Sequence, residues 1–298
     1  MATTEALKAI SYDGRTASDA IEAARMRNAN TKSNGSLMRC MPHSIFLANM
    51  AKAEKYQEIY DLVSIEANFV HTHKLVHEAI FVYTVSVAHL LNNPDAADRA
   101  QVAFDKAYTL AKGPMCTGID TNYGEKLEWW LDESKGWADA AKEAKKNGEA
   151  PPYLKKIKVP DRYYDKFNEE YMLNGTTKID IRKMQGFMKW AICLSYYYLQ
   201  MASEYELNYK ECIREIISLS GDTDTNACIA GAVVGALLGF NKIDPDMVKT
   251  VLQCDCAGEG QIRPQWLSVG KYGIQNAQTL IEKRAGDSYQ FLNHPDKK

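Results

Sequence analysis

Neither sign of charge prevails in this sequence. Its 36 Lys and Arg residues stand against 38 Asp and Glu, a formal net charge of −2. A chain so balanced has no electrostatic reason to seek nucleic acid or an anionic membrane, and neither is expected as a partner. No apolar stretch reaches the roughly 20 residues that a bilayer demands. Met1 to Arg15 carries no apolar segment, so no secretory signal is expected. The seven cysteines are odd in number and mostly scattered through expected helices. That pattern fits reduced thiols in an intracellular, cytoplasmic setting. The one close pair, Cys254-Asp255-Cys256, has neither the spacing nor the second pair of a structural zinc site. Strand signals are nearly absent, and there is no internal repeat or low-complexity segment.

Helical periodicity fills the space that these exclusions leave. The composition, 46% hydrophobic and 25% charged over 298 residues, is that of a globular protein able to bury a core. Thr16 and Asp19 are spaced as a capping start for a helix to Asn28. Further helices are expected over 39–51, over 56–69 with Ile59, Leu62, Ile65 and Phe69 as its stripe, over 73–91 and over 96–111. After 180 the pattern resumes with Phe187 to Tyr198, then 206–219, 244–252 and 270–284. The stretch 113–180 reads as a divergent insertion within a single domain over 1–298, and 287–298 as a loose tail. Trp129, Trp130 and Trp137 in the insertion suit either a protein-binding surface or local core packing. The whole is an all-α bundle.

One pentapeptide stands apart. Gly221-Asp222-Thr223-Asp224-Thr225 places two carboxylates and their neighbouring hydroxyls at a helix start, a ligand set suited to a hard divalent cation such as Mg²⁺. The same residues could simply cap the helix. Gly231, Gly235 and Gly239 in that helix are four apart and share one face, which suggests the close approach of another backbone.

The pentapeptide, followed by Ala227, Ile229 to Ala232 and Gly235-Ala236, resembles the signature of the ADP-ribosylglycohydrolase family. Asn34-Gly35-Ser36-Leu37-Met38-Arg39, then Pro42, resembles that family's Asn-Gly-x-x-Met-Arg segment, and Thr72-His73 its Thr-His pair. The resemblance implies an orthogonal multi-helix bundle that hydrolyses the glycosidic bond between ADP-ribose and an acceptor, with two Mg²⁺ ions. It implies that Asp222, Asp224 and Thr225 are metal ligands. It also implies that Asn34, Gly35, Ser36 and His73 face ADP-ribose.

The family's other ligands, a Thr-Asp-Asp triplet, have no counterpart. Only 33 residues precede Asn34, and no two aspartates are adjacent anywhere in the chain. Catalysis by two metals fails without the ligands that place them. Two readings follow. The chain is a catalytically impaired member, a subunit or ADP-ribose-sensing component of a larger assembly, with 113–180 as a surface for protein partners. Alternatively it is an active Mg²⁺-dependent hydrolase, with Asp13, Asp19 or another chain supplying the missing oxygens.

Overall fold

The computed structural model describes residues 16–120, 124–148, 154–158, 169–173, 177–179, 181 and 185–252. They form α1 (Ala17–Asn28), a 3-10 turn (Leu37–Arg39), α2 (Met41–Phe46), α3 (Ala48–Lys52), α4 (Tyr56–Asn68), α5 (Lys74–Asn92), α6 (Arg99–Lys112) and α7 (Leu127–Lys146). After three short strands come α8 (Met188–Glu204), α9 (Tyr209–Ser218), α10 (Thr223–Leu238), a second 3-10 turn (Phe240–Lys242) and α11 (Pro245–Leu252). The expected helix at 270–284, the tail and Cys254-Asp255-Cys256 lie outside the described residues.

Two helices form the centre. Every residue of α5 from Leu75 to Ala88 is buried, and so is every residue of α8 from Ala191 to Ala202. α5 packs against α3, α4 and α6, while α8 packs against α7 and α10. Tyr83 of α5 donates its hydroxyl to the Ile229 carbonyl of α10 at 2.8 Å, and Ser86 meets the Tyr196 hydroxyl of α8 at 2.8 Å. These bonds satisfy polar groups that would be costly to bury alone. By length and composition α5 could cross a bilayer, contrary to the expectation that no stretch would. Its apolar window is 83% buried inside the protein, so the core accounts for its apolarity.

Several expectations need correction. The helix expected over 39–51 is a 3-10 turn and two short helices. Pro42 sits in the first turn of α2, where its missing N–H is harmless, and Leu47 leaves the helical region between α2 and α3. On α4 the buried face is Ile59, Val63 and Ala67, with Leu62 and Ile65 exposed. The first part of the insertion is core: α7 buries Leu127, Trp130, Leu131, Trp137, Ala138 and Ala141, while Trp129 alone of the three tryptophans is exposed. Trp130 meets Phe187 edge-on at 5.4 Å. The second part holds β1 (Leu154–Lys158), β2 (Glu169–Leu173) and β3 (Thr177–Ile179), paired antiparallel in sequence order with Leu154 opposite Leu173 and Tyr171 opposite Ile179. The bundle is otherwise helical among the described residues.

The glycine stripe of α10 faces side chains rather than a backbone. A Cβ on Gly231 would meet Ile213 Cδ1 at 2.8 Å and the Tyr209 hydroxyl at 2.9 Å, both from α9. Gly235 has only ordinary contacts, and Gly239, at φ +84, ends the helix.

Candidate active site

The site begins as a short antiparallel pairing. Asn34 N–H donates to the Gly186 carbonyl at 2.8 Å, and Met188 N–H donates to the Lys32 carbonyl at 3.0 Å. This lays the Asn-Gly segment along the chain that enters α8. Lys32 anchors the strip from below, because its ammonium pairs with Asp120 at 3.0 Å with both side chains nearly fully buried.

The second half arrives on α10. Ser220 and Gly221 both take positive φ, +68 and +75, and turn the chain sharply out of α9. At Gly221 no side chain fits: a Cβ would lie 2.8 Å from Ile181 Cγ2 and 2.8 Å from the Ile181 carbonyl oxygen. The turn delivers Asp222 to the N-cap position of α10, yet its side chain makes no capping bond. Its Oδ2 instead accepts a hydrogen bond from Asn34 Nδ2 at 2.8 Å, across 188 residues of sequence. The pentapeptide and the Asn-Gly segment therefore meet, and capping is not the role of Asp222. A Cβ on Gly186 would touch Asn34 Oδ1 at 3.9 Å and Asp222 Oδ2 at 4.0 Å, so Gly186 borders the same spot.

The remaining expected residues take distinct places. Asp224 is exposed and Thr225 half-buried in the first turn of α10. Cys228, one turn on, holds its thiol 3.8 Å from the Met38 carbonyl, which joins α10 to the 3-10 turn. Gly35 offers its carbonyl to Arg39 Nη1 at 2.9 Å. Ser36 is buried, with its hydroxyl 2.7 Å from His71 Nδ1. His73 caps α5, its Nδ1 accepting from Leu75 N–H at 3.2 Å. Burial, then the Lys32 charge, holds its pKa below the ordinary histidine value.

Four neighbours escape sequence reasoning. Ser33 and His71 carry no motif, and their 2.7 Å contact spans a fold-dependent gap. Gly186 lies in a stretch without periodicity. Asn226, one turn after Asp222, is 1% exposed, and neither amide atom has a hydrogen-bond partner.

Among the described residues the site offers few oxygens for two magnesium ions: the carboxylates of Asp222 and Asp224 and the Thr225 hydroxyl. Water or further groups would have to complete each octahedron. No group of three or more His, Cys, Asp or Glu side chains able to hold a metal occurs among the described residues. Asp19 is no substitute: its Oδ2 closes the capping box of α1, taking the Thr16 N–H at 2.6 Å. Asp13 lies outside the described residues. A cleft of about 210 Å³ beside Lys52, His89 and Lys106 is a different place. His89 lies roughly 24 Å along α5 from His73, at about 1.5 Å per residue.

The sequence profile of the ADP-ribosylglycohydrolase family matches residues 1–274. The chain belongs to that family. Among curated proteins, one of Acanthamoeba polyphaga mimivirus named "Putative ADP-ribosyl glycohydrolase" is similar, 26% identical over 259 residues, covering 84% of this chain. The chain spans 65% of the length of that relative. No solved structure matches. Family membership accounts for the helical fold. Family members generally depend on a metal, and the described residues bring together few ligands for one.

Proposed function

We propose that this chain binds ADP-ribose through the Asn34–Asp222 site, that hydrolysis is impaired, and that the protein works as an ADP-ribose-sensing component or subunit of a larger assembly. The observation that carries this reading is the 2.8 Å bond from Asn34 Nδ2 to Asp222 Oδ2. It sets an amide and a carboxylate side by side, a pair suited to ribose hydroxyls, which both donate and accept. The Asn34-Gly35 turn adds backbone N–H groups of the kind that hold phosphate. The small number of carboxylates at the site among the described residues supports impairment, because few of them are there to place an attacking water or stabilise charge through metal. A subunit role would draw on the exposed face of Trp129 rather than on Trp130 or Trp137, which are core.

A second reading, an active Mg²⁺-dependent hydrolase of ADP-ribosylated substrates, is favoured by one observation. Asp222 forgoes the capping bond open to it, and an acid kept from capping is available to a cation. Calorimetric titration of ADP-ribose, with Mg²⁺ and with chelator, separates the two, together with a hydrolysis assay on ADP-ribosylated protein. The proposal expects binding, its loss in Asp222→Ala, and no release of ADP-ribose. Turnover with Mg²⁺ would establish the hydrolase instead, and absence of binding in every condition would overturn both.

A further inference from the structure

His71 has no exposed surface and uses its whole ring. Nε2 lies 2.7 Å from Ser33 Oγ, and Nδ1 lies 2.7 Å from Ser36 Oγ. These serines flank Asn34-Gly35 on either side. The main chain of His71 is held as well, its carbonyl accepting from His77 Nε2 at 2.9 Å. Arg39 closes the ring of contacts: Nη2 donates to Ser36 Oγ at 3.1 Å, Nη1 to the Gly35 carbonyl at 2.9 Å, and Nε to Glu66 Oε1 at 2.5 Å.

We infer that His71 is a positioning residue that clasps the Asn34-Gly35 turn through Ser33 and Ser36 and so fixes the Asn34 amide on Asp222. A neutral imidazole has one donor and one acceptor nitrogen. Between two hydroxyls it therefore receives a hydrogen bond from one serine and gives one to the other, which sets the orientation of both. The alternative role for a Ser–His contact is a nucleophile with its general base. The surroundings oppose it. Burial first, and the Arg39 charge next, push His71 down to about 4, so the ring is a poor proton acceptor. No carboxylate bonds to its far nitrogen; Ser36, itself an acceptor for Arg39, stands there.

The functional consequence rests on the ADP-ribose reading above, whereas the positioning itself does not, and the test keeps them apart. Ser33→Ala removes one jaw of the clasp and Ser33→Thr restores the hydroxyl; Ser33 is only half-buried, so neither threatens the fold. His71→Ala removes both jaws. The first readout needs no ligand: the side-chain amide resonances of Asn34, identified by their loss in Asn34→Ala. The bond to Asp222 gives one of these protons a downfield position and slow exchange, both abolished in Asp222→Ala. Ser33→Ala and His71→Ala are expected to move the Asn34 signal to that unbonded position, and Ser33→Thr to restore it. ADP-ribose affinity is expected to fall about tenfold in Ser33→Ala, with a Tm loss of only a few degrees from the buried imidazole nitrogen left without its partner, and both are expected to recover in Ser33→Thr. An Asn34 signal unmoved in both Ser33→Ala and His71→Ala overturns the inference. Wild-type protein that fails to bind ADP-ribose, with the signal still moved by the variants, overturns the functional reading and leaves the clasp standing.

Discussion

Gly221→Ala tests the turn on which the site depends. Gly221 sits at φ +75, where an L-residue other than glycine costs about 1–2 kcal/mol. The new Cβ would also lie 2.8 Å from Ile181 Cγ2 and 2.8 Å from the Ile181 carbonyl oxygen. The methyl could rotate away, but the carbonyl moves only with its backbone, and such overpacking costs about 1–3 kcal/mol. Together these give about 2–5 kcal/mol, or roughly 4–20 °C of Tm at about 2–4 °C per kcal/mol for a domain of this order of size. Gly235→Ala is the control. Its Cβ would meet only Tyr209 Cε2 at 3.6 Å and Ile243 Cδ1 at 3.9 Å, within regular helix. There alanine should stabilise by about 0.5–1 kcal/mol. Thermal unfolding followed by circular dichroism, with urea titration as a second measure, reads both variants. A Tm loss below about 2 °C in Gly221→Ala, with ADP-ribose binding retained, would refute the reasoning, since a loss of about 2 kcal/mol moves Tm further. Equal losses in both variants would refute it too.

Two other perturbations follow from buried charge. Lys32→Met takes the ammonium from Asp120, whose side chain is fully buried. The expected loss is about 3–5 kcal/mol, with much of it recovered in the double variant Lys32→Met/Asp120→Leu, both measured by urea unfolding. Glu215 has its pKa raised from 4.5 to about 7, chiefly by burial. A carboxyl raised in the folded state contributes stability that is complete below its unfolded pKa and is lost as pH rises through about 7. Glu215→Gln should therefore gain on wild type between pH 5 and 8, by on the order of 1–2 kcal/mol after allowance for partial exposure. Parallel Tm–pH curves for the two proteins would contradict this.

Much of the fold was legible because local rules and packing agree. Thr16 and Asp19 form the capping box that their spacing suggests, and Pro245 opens α11 at its first position. Where several faces of a helix carry apolar residues, periodicity misleads. On α4 it selects Leu62 and Ile65 for their size, but the packed face is the line of Ile59, Val63 and the small Ala67. Of the site, the motifs announce Asn34, Asp222 and their neighbours. Ser33, His71 and Gly186 are invisible in sequence because their roles arise from contacts across the fold, which no local spacing encodes.

The bond between Asn34 and Asp222 closes a loop of 188 residues. Closing so long a loop costs a flexible chain about 5 kcal/mol of entropy, far more than one hydrogen bond returns. That closure is therefore borne by the core, by α5, α8 and α10 together, and the site exists only once they have packed. A cut between α7 and α8 would put Asn34 on one fragment and Asp222 on the other. Ligand binding would then depend on protein concentration, as it does in a heterodimer whose interface happens to be the hydrophobic core.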